Sequence, residues 1–234
     1  MAQSLLGLSL NKLFQFYGNI FDDYTIANIG LQIIVRIQSM HKLNISHNDI
    51  KPSNIICGRI INSIINDRKT LYCIDFGKAS KIRINIKFNY QRNNKSYYYI
   101  LSDETNKNYR YFGTSLFAPI RIIEGYYLTK KNVLVEMIYT LLYLIIRYLP
   151  WSNLCNQKTK DLKSILVKEK NSFKNSINNL SLPKDLKLLY HEIVKIKNND
   201  NPNYDLFKIL LKSMADNSNS EAKKYIFNFV GDLN

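Results

Sequence analysis

The chain has 234 residues, a formal charge of +15, and 46% hydrophobic and 12% aromatic residues. That apolar content can fill a core in one large domain or two small ones, and it excludes general disorder. The charge favours polyanionic partners such as nucleotides, phosphoproteins or nucleic acid, yet lysine is spread along the whole chain and a solvated basic face needs no partner.

Three cysteines (Cys57, Cys73 and Cys155) stand far apart with no CxxC pair. That usage suits reduced thiols inside a cell, not a disulfide frame or a zinc site. The first residues lack a basic leader, a long apolar run and a small-residue cleavage site, so no secretory signal is expected. The most apolar stretch, 133–151, is interrupted by Glu136 and Arg147 and reads as a buried helix too short to cross a bilayer. An intracellular protein with no membrane partner follows, cytoplasmic by default and with the nucleus left open.

In chain order, residues 9–17 predict a short amphipathic helix. Residues 24–43 predict a longer one, with Ile26, Ile29, Ile33, Ile34 and Ile37 at helical spacing. "NISHNDIKPSN" follows as a loop, since Pro52 and the Asn/Ser cluster oppose helix. "IICGRII" and "TLYCID" read as a small β pair. Residues 78–112 are basic and Tyr-rich and are expected to be an irregular loop or insertion. Helices are then predicted over 130–148, 158–170, 183–197 and 203–214, punctuated by Pro150, Pro183 and Pro202. His41 and His191 fall on helix patterns and read as surface or cap residues; Trp151 reads as a core anchor. The tail 216–234 is undecided between a last helix and a partly ordered end.

Two short stretches carry chemistry: "HNDIKPSN" at 47–54 and "DFG" at 75–77. Asp49 lies on a loop after a helix, and Asp75 ends a strand before a glycine that permits a sharp turn. Asn54 and Asp75 are hard oxygen donors suited to Mg²⁺. Asp49 can accept a proton from an attacking hydroxyl, and Lys51 can neutralise charge on a moving phosphoryl group.

The two motifs together resemble the catalytic and metal-binding loops of eukaryotic protein kinases. "LLGLSLNKLFQF", "IVRIQSMHKLNISHNDIKPSN", "GTSLFAPI", "LPW" and "SLPKDLKLLYHEIVKIKNNDNPNYDLFKILL" resemble the casein kinase I family, to which the vaccinia-related kinases are related. The resemblance implies an α+β, mainly α, protein-kinase-like fold: a helical C-terminal lobe with a short β-hairpin. Residues 1–215 would form that lobe, with the catalytic loop at 47–54, the DFG motif at 75–77 and an activation segment at 75–120 that holds a Tyr-rich insertion at 91–111. Residues 216–234 would be a tail.

By resemblance, Asp49 is the catalytic base, Lys51 contacts the γ-phosphate, and Asn54 and Asp75 hold Mg²⁺ for ATP. His47, Phe76, Gly77 and Thr114 support the site, Thr114 favouring Ser/Thr substrates. Asn48 stands where many kinases have an Arg, and it cannot clamp a phosphate on the activation loop as a guanidinium does. The family's Asp that braces the catalytic loop is replaced by Asn132 and Val133, with Val133 at the ungapped position. Leu116 aligns with a basic residue that binds acidic or phosphorylated substrate, so a preference for such substrates is not implied.

The eight glycines form no GxGxxG, and no strand Lys precedes the match. The N-terminal lobe is therefore expected to be absent, leaving doubtful autonomous activity and an open upper face for a partner. The expected function is a Ser/Thr protein kinase acting on protein Ser/Thr. One alternative is a non-catalytic, pseudokinase-like interaction module. A lesser one is a nucleic-acid-binding protein that uses the aromatic and basic residues of 91–111.

Overall fold

The structure, a computed structural model, describes residues 6–59, 69–82, 115–126, 128–156, 161–197 and 200–218, and the backbone of 87–92 and 95–100. Its first helix, α1 (Leu10–Phe16), starts at Ser9, whose side chain accepts from the Lys12 amide. The second, α2 (Asp23–Lys42), starts at Asp22, whose carboxylate accepts from the Thr25 amide at 2.7 Å. Its five periodic isoleucines are all buried. Just past its end, Asn44 takes a left-handed φ of 54°, a conformation Asn tolerates better than most residues.

The predicted β pair forms as β2 (Ile55–Cys57) and β3 (Leu71–Cys73), antiparallel with Ile55 opposite Cys73. Before it, β1 (Ile45–Ser46) pairs with β4 (Ser80–Lys81). These two small sheets bracket the loop 47–54. They follow from short β-branched runs, and Gln32 of α2 anchors β3 by accepting from the Leu71 amide at 2.9 Å. Burial pushes the Cys57 and Cys73 thiols up to about 11, so both are unreactive at neutral pH.

The segment expected to be irregular holds a hairpin instead: β5 (Lys87–Arg92) and β6 (Lys95–Ile100), antiparallel from Lys87↔Ile100 to Arg92↔Lys95. The reason is local: two aromatic-bearing runs separated by two asparagines are a hairpin pattern. The rest of the insertion expected at 91–111 lies outside the described residues.

A short helix, α3 (Ile120–Ile123), was not foreseen. Then α4 (Lys130–Ile146) begins at a capping box between Thr129 and Asn132 and is buried along nearly its whole length. Helices α5 (Leu162–Ser176), α6 (Lys184–Lys195) and α7 (Tyr204–Asp216) complete the predicted order. The core lies where α2 and α6 pack on both α4 and α7. A helix apolar on all sides belongs in such a place. Among the described residues no helix is long and apolar enough to cross a membrane.

Trp151 is the core anchor expected: fully buried, it meets Tyr139 and Phe173 edge-on at 4.9 and 5.4 Å. His41 corrects its assignment. It is buried, and its Nδ1 bonds the Tyr204 hydroxyl, joining α2 to α7. Burial, aided by the nearby Lys130 charge, pulls its ring down to about 4, so it is neutral at pH 7. His191 lies nearer the surface and bonds Asn178 Oδ1 at 2.9 Å. Most of the tail at 216–234 lies outside the described residues.

Candidate active site

The loop between β1 and β2 turns sharply because Asn48 adopts a left-handed φ of 69°. A β-branched residue there would be strained, whereas Asn is among the few side chains that tolerate it. Pro52 then opens a 3-10 turn, Pro52–Asn54, that delivers Asn54 to the start of β2. A second left-handed residue, Asp75 at φ 63°, ends the strand side and starts the turn Phe76–Lys78.

Asp49, 4% exposed, is the centre of the cluster. Its Oδ2 lies 2.9 Å from Lys51 Nζ and 2.8 Å from Lys78 Nζ. Asn54 Nδ2 donates to the Asp49 carbonyl at 3.0 Å and to Oδ2 at 3.2 Å. Burial pushes the Asp49 carboxyl up, but the hydrogen bonds and charges of Lys78 and Lys51 outweigh it and leave the group below its ordinary value. Asp49 is thus an anion at neutral pH.

Asp75 reaches the same neighbourhood through the backbone. The Ile74 amide donates to the Asn54 carbonyl at 2.9 Å, setting the residue before Asp75 against Asn54. His47 is fully buried and bonds the Ile74 carbonyl through Nε2 at 2.9 Å. Its ring lies 4.8 Å from that of Phe76. Burial lowers the His47 pKa against the opposing pull of the Ile74 carbonyl and of the Asp49 and Asp75 charges, which suits a neutral ring donating to a carbonyl. Gly77 is confined: a Cβ there would come within 3.2 Å of Asp75 Oδ1. Thr114 lies outside the described residues.

The donor set suits magnesium. Asn54 spends its NH₂ on Asp49, which leaves its amide oxygen as the atom for a hard cation, and the Asp75 carboxylate is exposed. Among the described residues no three His, Cys, Asp or Glu side chains gather as a metal cage. Magnesium needs none, since phosphate and water supply its remaining oxygens.

No family model matches the chain. It is 26% identical over 215 residues to a probable casein kinase I homolog of Encephalitozoon cuniculi (strain GB-M1), covering 90% of this chain and 63% of that protein. To the B1 kinase of Monkeypox virus it is 27% identical over 212 residues, covering 88% of this chain and 63% of that kinase. The chain resembles both kinases in sequence along most of its length. It spans less than two thirds of the length of both relatives.

The brace of the loop 47–54 lies at neither Asn132 nor Val133. Asn132 is spent on the capping box with Thr129, and Val133 is fully buried in the core. One turn further along α4, Glu136 Oε2 accepts from the Ile50 amide at 3.0 Å, and Thr140 Oγ1 donates to the Ile50 carbonyl at 3.1 Å. The helix thereby grips both polar groups of the residue after Asp49. The signal was present in the sequence as one carboxylate inside an otherwise apolar run. Only the fold shows that it faces the loop.

Burial drives the Glu136 carboxyl up to about 8, the Asp49 charge adding to the rise and the Ile50 amide opposing it. Its folded pKa exceeds the unfolded value of 4.5, so folding favours the protonated form. This contribution to stability is full below about pH 4.5 and is lost as pH rises through about 8. Glu136→Gln, which keeps an oxygen for the Ile50 amide, should flatten that decline in thermal scans between pH 5 and 9. Glu136→Ala should cost about 1–3 kcal/mol for the orphaned amide alone; an unchanged midpoint would contradict the brace.

Asn48 does more than replace an Arg. Its Nδ2 donates to the Lys78 carbonyl at 2.6 Å and to Ser80 Oγ at 3.0 Å, while its Oδ1 accepts from Ser46 Oγ. The loop is therefore tied to the turn after Asp75 by a short neutral side chain. Further out, Lys170 is fully buried and donates to the carbonyls of Ser115 (3.0 Å), Leu116 (3.3 Å) and Ala118 (2.6 Å). Its ammonium also lies 4.6 Å from the Trp151 ring centre. No motif pointed to Lys170. A lysine in a helix amid other lysines carries no mark of burial.

Proposed function

We propose that this chain carries the phosphoryl-transfer loops of a protein kinase acting on Ser/Thr of proteins, with ATP as donor and Mg²⁺ as cofactor. The observation that carries this reading is the convergence of Lys51 and Asn54 on Asp49, with Asp75 held one residue from the Asn54 carbonyl. The kinase names of the two relatives agree with it.

Asp49 accepts the proton of the attacking hydroxyl through its carboxylate, and Lys51 offsets charge on the moving phosphoryl group. Asn54 and Asp75 would hold Mg²⁺, which when bound neutralises phosphate charge. His47 keeps Ile74 and Phe76 in place, and Glu136 with Thr140 keeps the Asp49 loop in place. Thr114 is proposed to favour Ser/Thr over other acceptors by resemblance to the family.

The test is ligand-dependent thermal stability together with transfer of labelled phosphate to a protein acceptor. A ligand at ten times its Kd should stabilise the chain by about 1.4 kcal/mol, and Asp75→Asn should remove the magnesium-dependent part of that gain. An unmoved midpoint with millimolar Mg·ATP, together with no transfer, would overturn the reading.

A non-catalytic interaction module is the second reading. It draws on Phe76, a residue 51% exposed beside the site, which would suit a covering partner. Binding of a protein partner by a chain that shows no response to nucleotide would favour it.

A further inference from the structure

Lys78 is the residue of this site for which no motif gave a role. It closes the turn Phe76–Lys78, and the Ala79 amide donates back to the Phe76 carbonyl at 2.9 Å. The Lys78 main chain is held by Asn48, the neighbour of Asp49, through the 2.6 Å bond to its carbonyl. Its side chain reaches Asp49 itself, with Nζ 2.8 Å from Oδ2. The Lys78 side chain is 33% exposed and that of Asp49 3%, so the ammonium stands between the buried carboxylate and solvent.

Two lysines therefore share one carboxylate oxygen. Lys51 and Lys78 lie within about 6 Å of each other, and like charges that close repel. Both lean on one Asp49 oxygen, so their mutual repulsion is only partly offset there. A phosphate oxygen placed between the ammonium groups would relieve it, and Lys is a regular phosphate binder acting as a point charge.

We propose that Lys78 is a second phosphate-binding cation of the site, paired with Lys51. In the resting chain it rests on Asp49. When a polyphosphate enters, it transfers to a phosphate oxygen and exposes Oδ2. This rests on the kinase reading for its chemical step but not for the binding event. In that step the substrate oxygen bonds to the γ-phosphorus and the bond from that phosphorus to the β–γ bridging oxygen breaks. The electron pair leaves with the diphosphate, and the hydroxyl proton passes to Asp49 Oδ2. Nothing is oxidised or reduced.

The experiment titrates inorganic tripolyphosphate into the full chain by calorimetry and measures phosphate transfer from Mg·ATP in parallel. The variants are Lys78→Met, Lys78→Arg and, as a control for general basic charge, Lys163→Met on the exposed side of α5. Lys78→Met should weaken tripolyphosphate binding by about 10- to 100-fold, as expected for a hydrogen bond to a charged group. Lys78→Arg should keep most of the affinity, and Lys163→Met should match the parent.

Equal losses in Lys78→Met and Lys163→Met would overturn the proposal, as would no loss in Lys78→Met, the result expected of a weak surface ion pair. A faster transfer in Lys78→Met would also overturn it and make the lysine a cap on the base. Lys78-dependent tripolyphosphate binding without transfer would leave the proposal standing and sink the kinase reading. Transfer that is indifferent to Lys78 would do the reverse, and neither binding nor transfer would sink both.

Discussion

Asp49→Asn should lower the rate of phosphoryl transfer by about 10²- to 10⁴-fold, the usual worth of a general base. The amide keeps the shape of the carboxylate and one oxygen for the Asn54 NH₂, but it cannot take a proton. It also releases two ammonium groups, at 2.8 and 2.9 Å, from their counter-charge. Both lysines are partly exposed, so solvent screens much of the lost ion pairing and the fold should persist. The measurement is the initial rate under saturating Mg·ATP, with circular dichroism as a check on structure. A rate within a few-fold of the parent would remove Asp49 from the proposed chemistry.

Trp151→Ala should have the largest effect on stability, a loss of about 3–5 kcal/mol. The indole fills the space between Tyr139 and Phe173, and its Nε1 donates to the Leu116 carbonyl at 2.6 Å. Its face also lies near the Lys170 ammonium, so truncation strips support from a buried charge as well as leaving a hole. Burial already pulls Lys170 down to about 7. In a chain of this size a loss of that order lowers the melting temperature by roughly 6–20 °C. Trp151→Phe should cost much less, because it loses the Leu116 bond but keeps an aromatic filling. A midpoint shift below about 2 °C for the alanine variant would show that the core does not rest on this ring.

The two residues are linked through one segment. Trp151 and Lys170 both bond the Leu116 carbonyl, and Lys170 adds those of Ser115 and Ala118. Residues 115–118 take their shape from the helical side of the molecule. That stretch directly follows Thr114, the position proposed to favour Ser/Thr acceptors.

How much could be read from the sequence depends on how local the cause is. The α2 isoleucines, the β2–β3 pair and the four later helices were legible because each follows from the spacing of apolar residues along one segment. Asp49, Lys51 and Asn54 were legible as a group because five residues of chain cannot separate them far. The hairpin of β5 and β6 was legible in principle, since its two runs and the asparagines between them are adjacent in sequence, but a stretch this rich in aromatic and basic residues also fits an irregular insertion.

What tertiary structure alone decided are contacts between residues far apart in the chain. Glu136 reaches Ile50 across 86 positions, His41 reaches Tyr204 across 163, and Lys170 reaches Ser115 across 55. A polar side chain in an apolar helix is a conspicuous cost in sequence, but its partner is chosen by how helices pack. Lys78 lies between the two cases: it follows the DFG motif directly, yet its hold on Asp49 depends on β1 pairing with β4 and on Asn48 tying the two turns together. Local spacing determined which groups this chain places on its loops. Packing determined which of them touch, because an unpaired polar atom is costly to bury and only the folded arrangement brings distant partners together.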